Sequence, residues 1–84
     1  MKSIYSIYDL KAQTFGLLHL VSSPAAFYRD LADYVRSETD TPEGRHPADF
    51  QVCMLGWLNE ETGVLDPAQD VVRACTLADL LATE

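Results

Sequence analysis

Asp9, His46 and Asp49 are the residues of this 84-residue chain whose types could be assembled into acid–base chemistry. Proton transfer needs groups held in environments that drive their pKa values apart. His46 and Asp49, at i and i+3, could share a proton or contribute to a metal site. The same residue types also tether a loop before a strand by hydrogen bonding, and that use is the ordinary one. Glu60-Glu61 offers two adjacent carboxylates, but they lie in the polar run Asn59-Glu60-Glu61-Thr62-Gly63, which reads as a solvated turn. The chain holds no phosphate loop, nucleophile elbow or HExxH motif. Cys53 and Cys75 lack metal-ligand spacing, and Cys53, inside an apolar run, reads as a small buried hydrophobe. His19, between Leu18 and Leu20, reads as a packed residue. A small enzyme would have to gather Asp9, His46 and Asp49 in one cleft. The expectation is a protein that is not an enzyme and uses neither metal nor cofactor.

Binding of single-stranded nucleic acid is the other chemistry to weigh. It needs aromatic platforms beside cations. Tyr5, Tyr8, Phe15, Phe50 and Trp57 fall on or next to expected strands. Lys2 and Lys11 flank the first strand, Arg29 and Arg36 lie in a helical segment, and Arg45 precedes the longest apolar run. Lys2, Tyr5, Lys11, Arg29, Arg36 and Arg45 are therefore the candidate DNA contacts. Against them stands a net charge of −7, which argues against a large phosphate-neutralising surface. The imbalance is uneven: residues 1–40 carry 4 basic and 5 acidic groups, residues 41–84 carry 2 and 8. A local basic strip is thus expected from the first half. The competing use of the aromatics is burial in a core or a subunit interface.

The elements that would position these residues read as follows. Lys2–Asp9 is a strand rich in β-branched and aromatic residues. Phe15–Val21 pairs with it as a hairpin. Ser22-Ser23-Pro24 starts a helix that runs to about Glu38, with Phe27, Leu31, Tyr34 and Val35 on one stripe. Residues 39–45 form a turn-rich loop. His46-Pro47 then leads into Phe50–Leu58, whose two alternating sets are both mostly apolar, so this strand is expected to be covered on both faces. Gly56 within it marks a bulge or a close backbone approach. Gly63 closes the following hairpin with positive φ. Val64-Leu65 begins a return strand whose regular pairing Pro67 should end. Residues 70–74 are a short further strand or an edge segment. Thr76 and Asp79 form a capping box that opens a short C-terminal helix.

The strand ending in Tyr8-Asp9, the strand and helix after it, and then His46-Pro47, Asp49-Phe50, Gly56 and Thr62-Gly63 together resemble the small nonstructural proteins of gokushovirus-type microviruses. The resemblance covers roughly residues 1–67. It implies a fifth-reading-frame accessory protein of an icosahedral single-stranded DNA phage, made in the cytoplasm of the infected bacterium and absent from the capsid. The family is described as DNA-binding, with a part in switching genome replication towards single-stranded product. No catalytic or contact residue comes with it. The matching residues themselves look structural, and the acidity of this chain fits DNA binding poorly.

The expected fold is a single α+β domain over residues 1–84: an antiparallel sheet of about four strands in the order β-β-α-β-β, one covering helix and a short C-terminal helix. A chain this size buries only about 60–65% of its unfolded surface, yet 48% of its residues are hydrophobic. A homo-oligomer is therefore expected, with a second subunit on the sheet face left open by the helix. No secretory signal and no apolar run of ~18 residues is apparent, so a cytoplasmic protein without membrane contact is expected. The functional expectation is a phage nonstructural protein that binds single-stranded DNA during genome replication. The alternative is an adaptor that acts on replication or assembly proteins without touching DNA.

Overall fold

β-branched and aromatic side chains alternate through the first strand, β1 (Lys2–Asp9), which pairs antiparallel with β2 (Thr14–Val21) in the computed structural model, where residues 1–82 are described. Asp9 builds the turn between them: its Oδ1 accepts from the backbone N–H groups of Lys11 at 2.9 Å and Ala12 at 3.1 Å. Helix α1 (Pro24–Ser37) follows. Ser23 caps it by accepting from the Ala26 N–H at 3.3 Å, and Pro24 occupies the first turn, where its missing N–H costs nothing. Ala32 and Val35 are buried, with Phe27, Tyr28 and Leu31 packed beside them. Tyr34, expected on the same stripe, is exposed instead. Tyr28 and Ala32 centre the buried face one step round the helix and leave position 34 on its flank.

The expected loop over residues 39–45 contains a short helix, α2 (Pro42–Arg45), and a single 3₁₀ turn follows at Pro47–Asp49. Thr41 organises it, its Oγ1 accepting from the Gly44 N–H at 3.1 Å and donating to the Glu38 carbonyl at 2.6 Å. His46 and Asp49 tether the chain through their backbones rather than their side chains. The Asp49 N–H donates to the His46 carbonyl, and the Leu10 N–H donates to the Asp49 carbonyl, both at 2.9 Å. Strand β3 (Phe50–Leu58) then enters the sheet. Its neighbours Val52 and Cys53, which point to opposite faces, are both fully buried.

Asn59 and Gly63 close the next hairpin, with Gly63 at φ +77°. The Gly63 N–H donates to the Asn59 carbonyl at 2.7 Å, and Asn59 Oδ1 accepts from Glu61 and Thr62. The return strand, β4 (Leu65–Thr76), runs on past Pro67, but its regular pairing with β3 ends there, as expected. The sheet order is β2-β1-β3-β4, so β4 is an edge strand and can hold a proline without losing a ladder bond to a further strand. Its register breaks between Gly56↔Pro67 and Met54↔Val72, leaving residues 68–71 as a wide bulge. Helix α3 (Leu77–Ala82) begins at the expected capping box, Thr76 N–H to Asp79 Oδ2 at 2.9 Å and Asp79 N–H to Thr76 Oγ1 at 3.1 Å. It docks on its own subunit, where Leu77 is buried.

The core lies between one sheet face and the helices: Tyr5, Val21, Val35, Phe50, Val52 and Leu77 form it. Gly56 allows the β3–β4 pairing. A Cβ there would run into the Asp66 carbonyl oxygen and lie 2.9 Å from the Pro67 Cα. Gly56→Ala is therefore expected to lower stability by about 1–3 kcal/mol, the usual cost of overpacking. Urea denaturation followed by far-UV circular dichroism measures it. Gly16→Ala serves as the control, because a Cβ at Gly16 meets its nearest atom at an ordinary 3.5 Å.

Candidate nucleic-acid interface

Alternation along β1 sorts the chain's chemistry between two faces. Tyr5 and Ile7 point to the helices, and Ile4, Ser6 and Tyr8 point away from them. On this second face the paired positions are Leu20, Leu18 and Phe15 on β2, Leu58, Gly56, Cys53 and Gln51 on β3, and Leu65, Pro67, Arg73 and Thr76 on β4. None of these described positions is acidic, and Lys2 and Arg73 are cationic. The helices of the described residues pack on the opposite face.

Arg73 organises the open face. Its guanidinium carbon lies 4.8 Å from the centroid of the Tyr8 ring and 6.0 Å from that of Phe15. The two rings are themselves 4.7 Å apart and tilted by 55°. Nη1 of Arg73 donates to Gln51 Oε1 at 3.0 Å and approaches Cys53 Sγ at 3.9 Å. Ser6, fully buried, donates to the Gly16 carbonyl at 3.1 Å. The result is a cation laid over two aromatic rings on a sheet surface, the combination that stacks bases and attracts phosphates.

The six expected contacts scatter around this platform. Lys2 lies on the open face, with its ammonium 3.7 Å from a Glu60 carboxylate oxygen in the β3–β4 loop. Lys11 is exposed in the β1–β2 turn, at the end of the sheet that carries Tyr8 and Phe15. Tyr5 is a core residue, only 6% exposed. Its ring lies 5.1 Å from Phe27 and 6.1 Å from Tyr28, so it presents no free surface to a base. Arg29 and Arg36 belong to α1, beside Asp30 at 3.6 Å and Asp33 at 4.0 Å, and Arg45 is exposed on α2. These three arginines sit in the helical layer, away from the open face. Arg73, which carries the platform, was not among the candidates. Its segment read only as a short strand or edge, and register shifts lie on both sides of its pairing with Cys53.

A cleft of about 550 Å³ opens between the helix-facing side of β2 and helix α1, lined by Ile7, Asp9, His19, Leu31, Tyr34 and Glu43 among others. His46 and Asp49 do not line it, so the three residues of the enzyme reading do not meet there. Among the described residues, no group of three His, Cys, Asp or Glu side chains is placed to hold a metal ion. No described helix is long and apolar enough to cross a membrane.

A family model described as "Phage ORF5 protein" matches residues 2–80, so the similarity runs past residue 67 through the β4 bulge and into α3. Protein ORF5 of Chlamydia phage 1 is 31% identical over 70 residues, covering 75% of this chain and 69% of that protein. No solved structure matches the chain.

Burial raises the Cys53 thiol pKa above its ordinary 9.0, with Arg73 opposing the rise through its charge and hydrogen bond. The Cys75 thiol is raised as well, first by burial and then by Asp79 and Cys53. Tyr28 is pushed up by burial and by its hydrogen bond with Tyr5. All three groups stay protonated in the fold at a pH where the unfolded chain loses their protons. Their contribution is complete below the unfolded pKa and is lost as pH rises towards the folded value. The urea midpoint is therefore expected to fall between about pH 8 and about pH 10.5. A Cys53→Ala/Cys75→Ala double variant should show a shallower fall over the same range.

Proposed function

This chain belongs to the phage ORF5 protein family, and on that premise we propose that it is a non-enzymatic nonstructural protein that binds single-stranded DNA during viral genome replication in the host cytoplasm. The observation that supports this reading most is the Tyr8–Phe15–Arg73 platform on a sheet face whose paired positions carry no carboxylate. In a chain of net charge −7, a phosphate backbone meets repulsion almost everywhere. The open face spares it carboxylates at the paired positions. Bases stack on Phe15 and Tyr8, the Arg73 guanidinium neutralises a phosphate or stacks in turn, and Lys11 and Lys2 stand at the two ends of β1 for flanking phosphates. The three cations limit the electrostatic contribution to about three phosphates, a salt slope near −2 for a single strand. Binding of this kind is sequence-tolerant, because every base has a π-face.

Binding of a fluorescent oligothymidylate measured across a range of salt concentrations tests the reading. Affinity should fall as salt rises. Phe15→Ala and Arg73→Ala should each weaken binding by about 5- to 100-fold, the range of one lost stacking contact. Glu60→Gln should strengthen it a few-fold by releasing Lys2 from an exposed ion pair, whose own worth is only about 0–1 kcal/mol. Absence of binding at low salt would overturn the proposal and leave the chain as a protein-interaction adaptor.

A further inference from the structure

The two edges of the sheet are built differently. β4 carries Asp66, Pro67, Asp70 and Arg73 and the wide bulge at residues 68–71, the devices that keep an edge strand from pairing with another chain. β2 carries only a one-residue bulge at Gly16-Leu17. Its sequence Thr14-Phe15-Gly16-Leu17-Leu18-His19-Leu20-Val21 contains no formally charged residue and no proline. Leu17, Leu18, Leu20 and Phe15 are 82%, 65%, 54% and 41% exposed. As the terminal strand in the order β2-β1-β3-β4, β2 also presents a row of backbone groups with no neighbour beyond it.

We infer that β2 pairs antiparallel with β2 of a second copy of this chain about a two-fold axis at Leu18, giving one continuous eight-stranded sheet. Charge favours a second copy as the occupant. Two chains of net charge −7 repel through most of their surfaces, and β2 is a strip along which identical chains meet with no like charges opposed. Identity of the two strands makes the contact isologous, so it closes at two copies rather than growing. The protected β4 edges then terminate the assembly on both sides. Leu18, on the axis, meets its counterpart on the open face with Leu20 flanking it, and Leu17 is covered at the mouth of the β2–α1 cleft. The pairing also carries both Tyr8–Phe15–Arg73 platforms onto one surface, with the two Phe15 residues roughly 20 Å apart at strand rise. This last consequence rests on the DNA-binding reading; the dimer does not.

Analytical ultracentrifugation of the full chain without DNA tests the inference separately from the proposed function. The expected mass at micromolar concentration is twice the 9.4 kDa of one chain. Leu18→Lys, a change at an exposed position, should give a monomer with an unaltered circular dichroism spectrum. Val72→Lys on the exposed surface of the opposite edge strand should leave the dimer intact. A monomeric wild-type chain would overturn the inference and leave β2 to a different protein partner. A dimer that survives Leu18→Lys or dissociates with Val72→Lys would overturn it equally.

Discussion

The alternation of β1 is the constraint on which the rest of this structure depends. Tyr5 and Ile7 go under the helices, and Ile4, Ser6 and Tyr8 go to the other side. The period of a strand is two, so a slip of one residue would exchange the faces and put Tyr8 in the core and Tyr5 in solvent. Several contacts oppose that slip. Tyr5 packs on Phe27 and Tyr28, Ser6 is hydrogen-bonded to Gly16, and Asp9 closes the turn that sets the β1–β2 register. On the other flank, Gly56 lets the β4 backbone approach β3 closely enough to complete the sheet.

One-sided cover follows from this arrangement. α1 and α3 both pack on the face of Tyr5, Phe50 and Val52. The opposite face keeps its central residues dry by other means. Ser6 and Cys53 are small and fully buried, and the long side chains of Leu18, Tyr8 and Arg73 lie around them. An arginine spread across aromatic rings can shield apolar surface with its stem while its charged head stays available to solvent. The same residue therefore completes the sheet surface and supplies the cation of the proposed DNA platform.

Much of the fold was legible in the sequence because local chemistry decided it. The bounds of β1 and β3 follow from side-chain alternation, the α1 start from Ser23-Pro24, the hairpin from Gly63 and the α3 start from Thr76 and Asp79. The misreadings share a cause: each depended on which of two apolar faces would be covered. Both sets of β1 are mostly apolar, so Tyr5 looked as available as Tyr8, and only the packing of Phe27 and Tyr28 separates them. Tyr34 was placed on the buried stripe because Ala32, too small to mark a stripe by itself, is what brings the helix close. Arg73 was missed for the same kind of reason. Its face is set by register shifts that arise from the three-dimensional approach at Gly56 and the bulge at residues 68–71, and no periodicity in the sequence carries them.

The proposed DNA-binding surface of this phage ORF5-family chain is the open face of the sheet. Its most direct test is an NMR titration of the ¹⁵N-labelled protein with a short oligothymidylate at low salt, with each shifted amide placed on the structure. The account predicts shifts concentrated at Tyr8, Phe15, Gln51 and Arg73 and in the Lys11 turn, with the amides of α1 unmoved. Shifts confined to α1 and α2, around Arg29, Arg36 and Arg45, or no shifts at all, would contradict it.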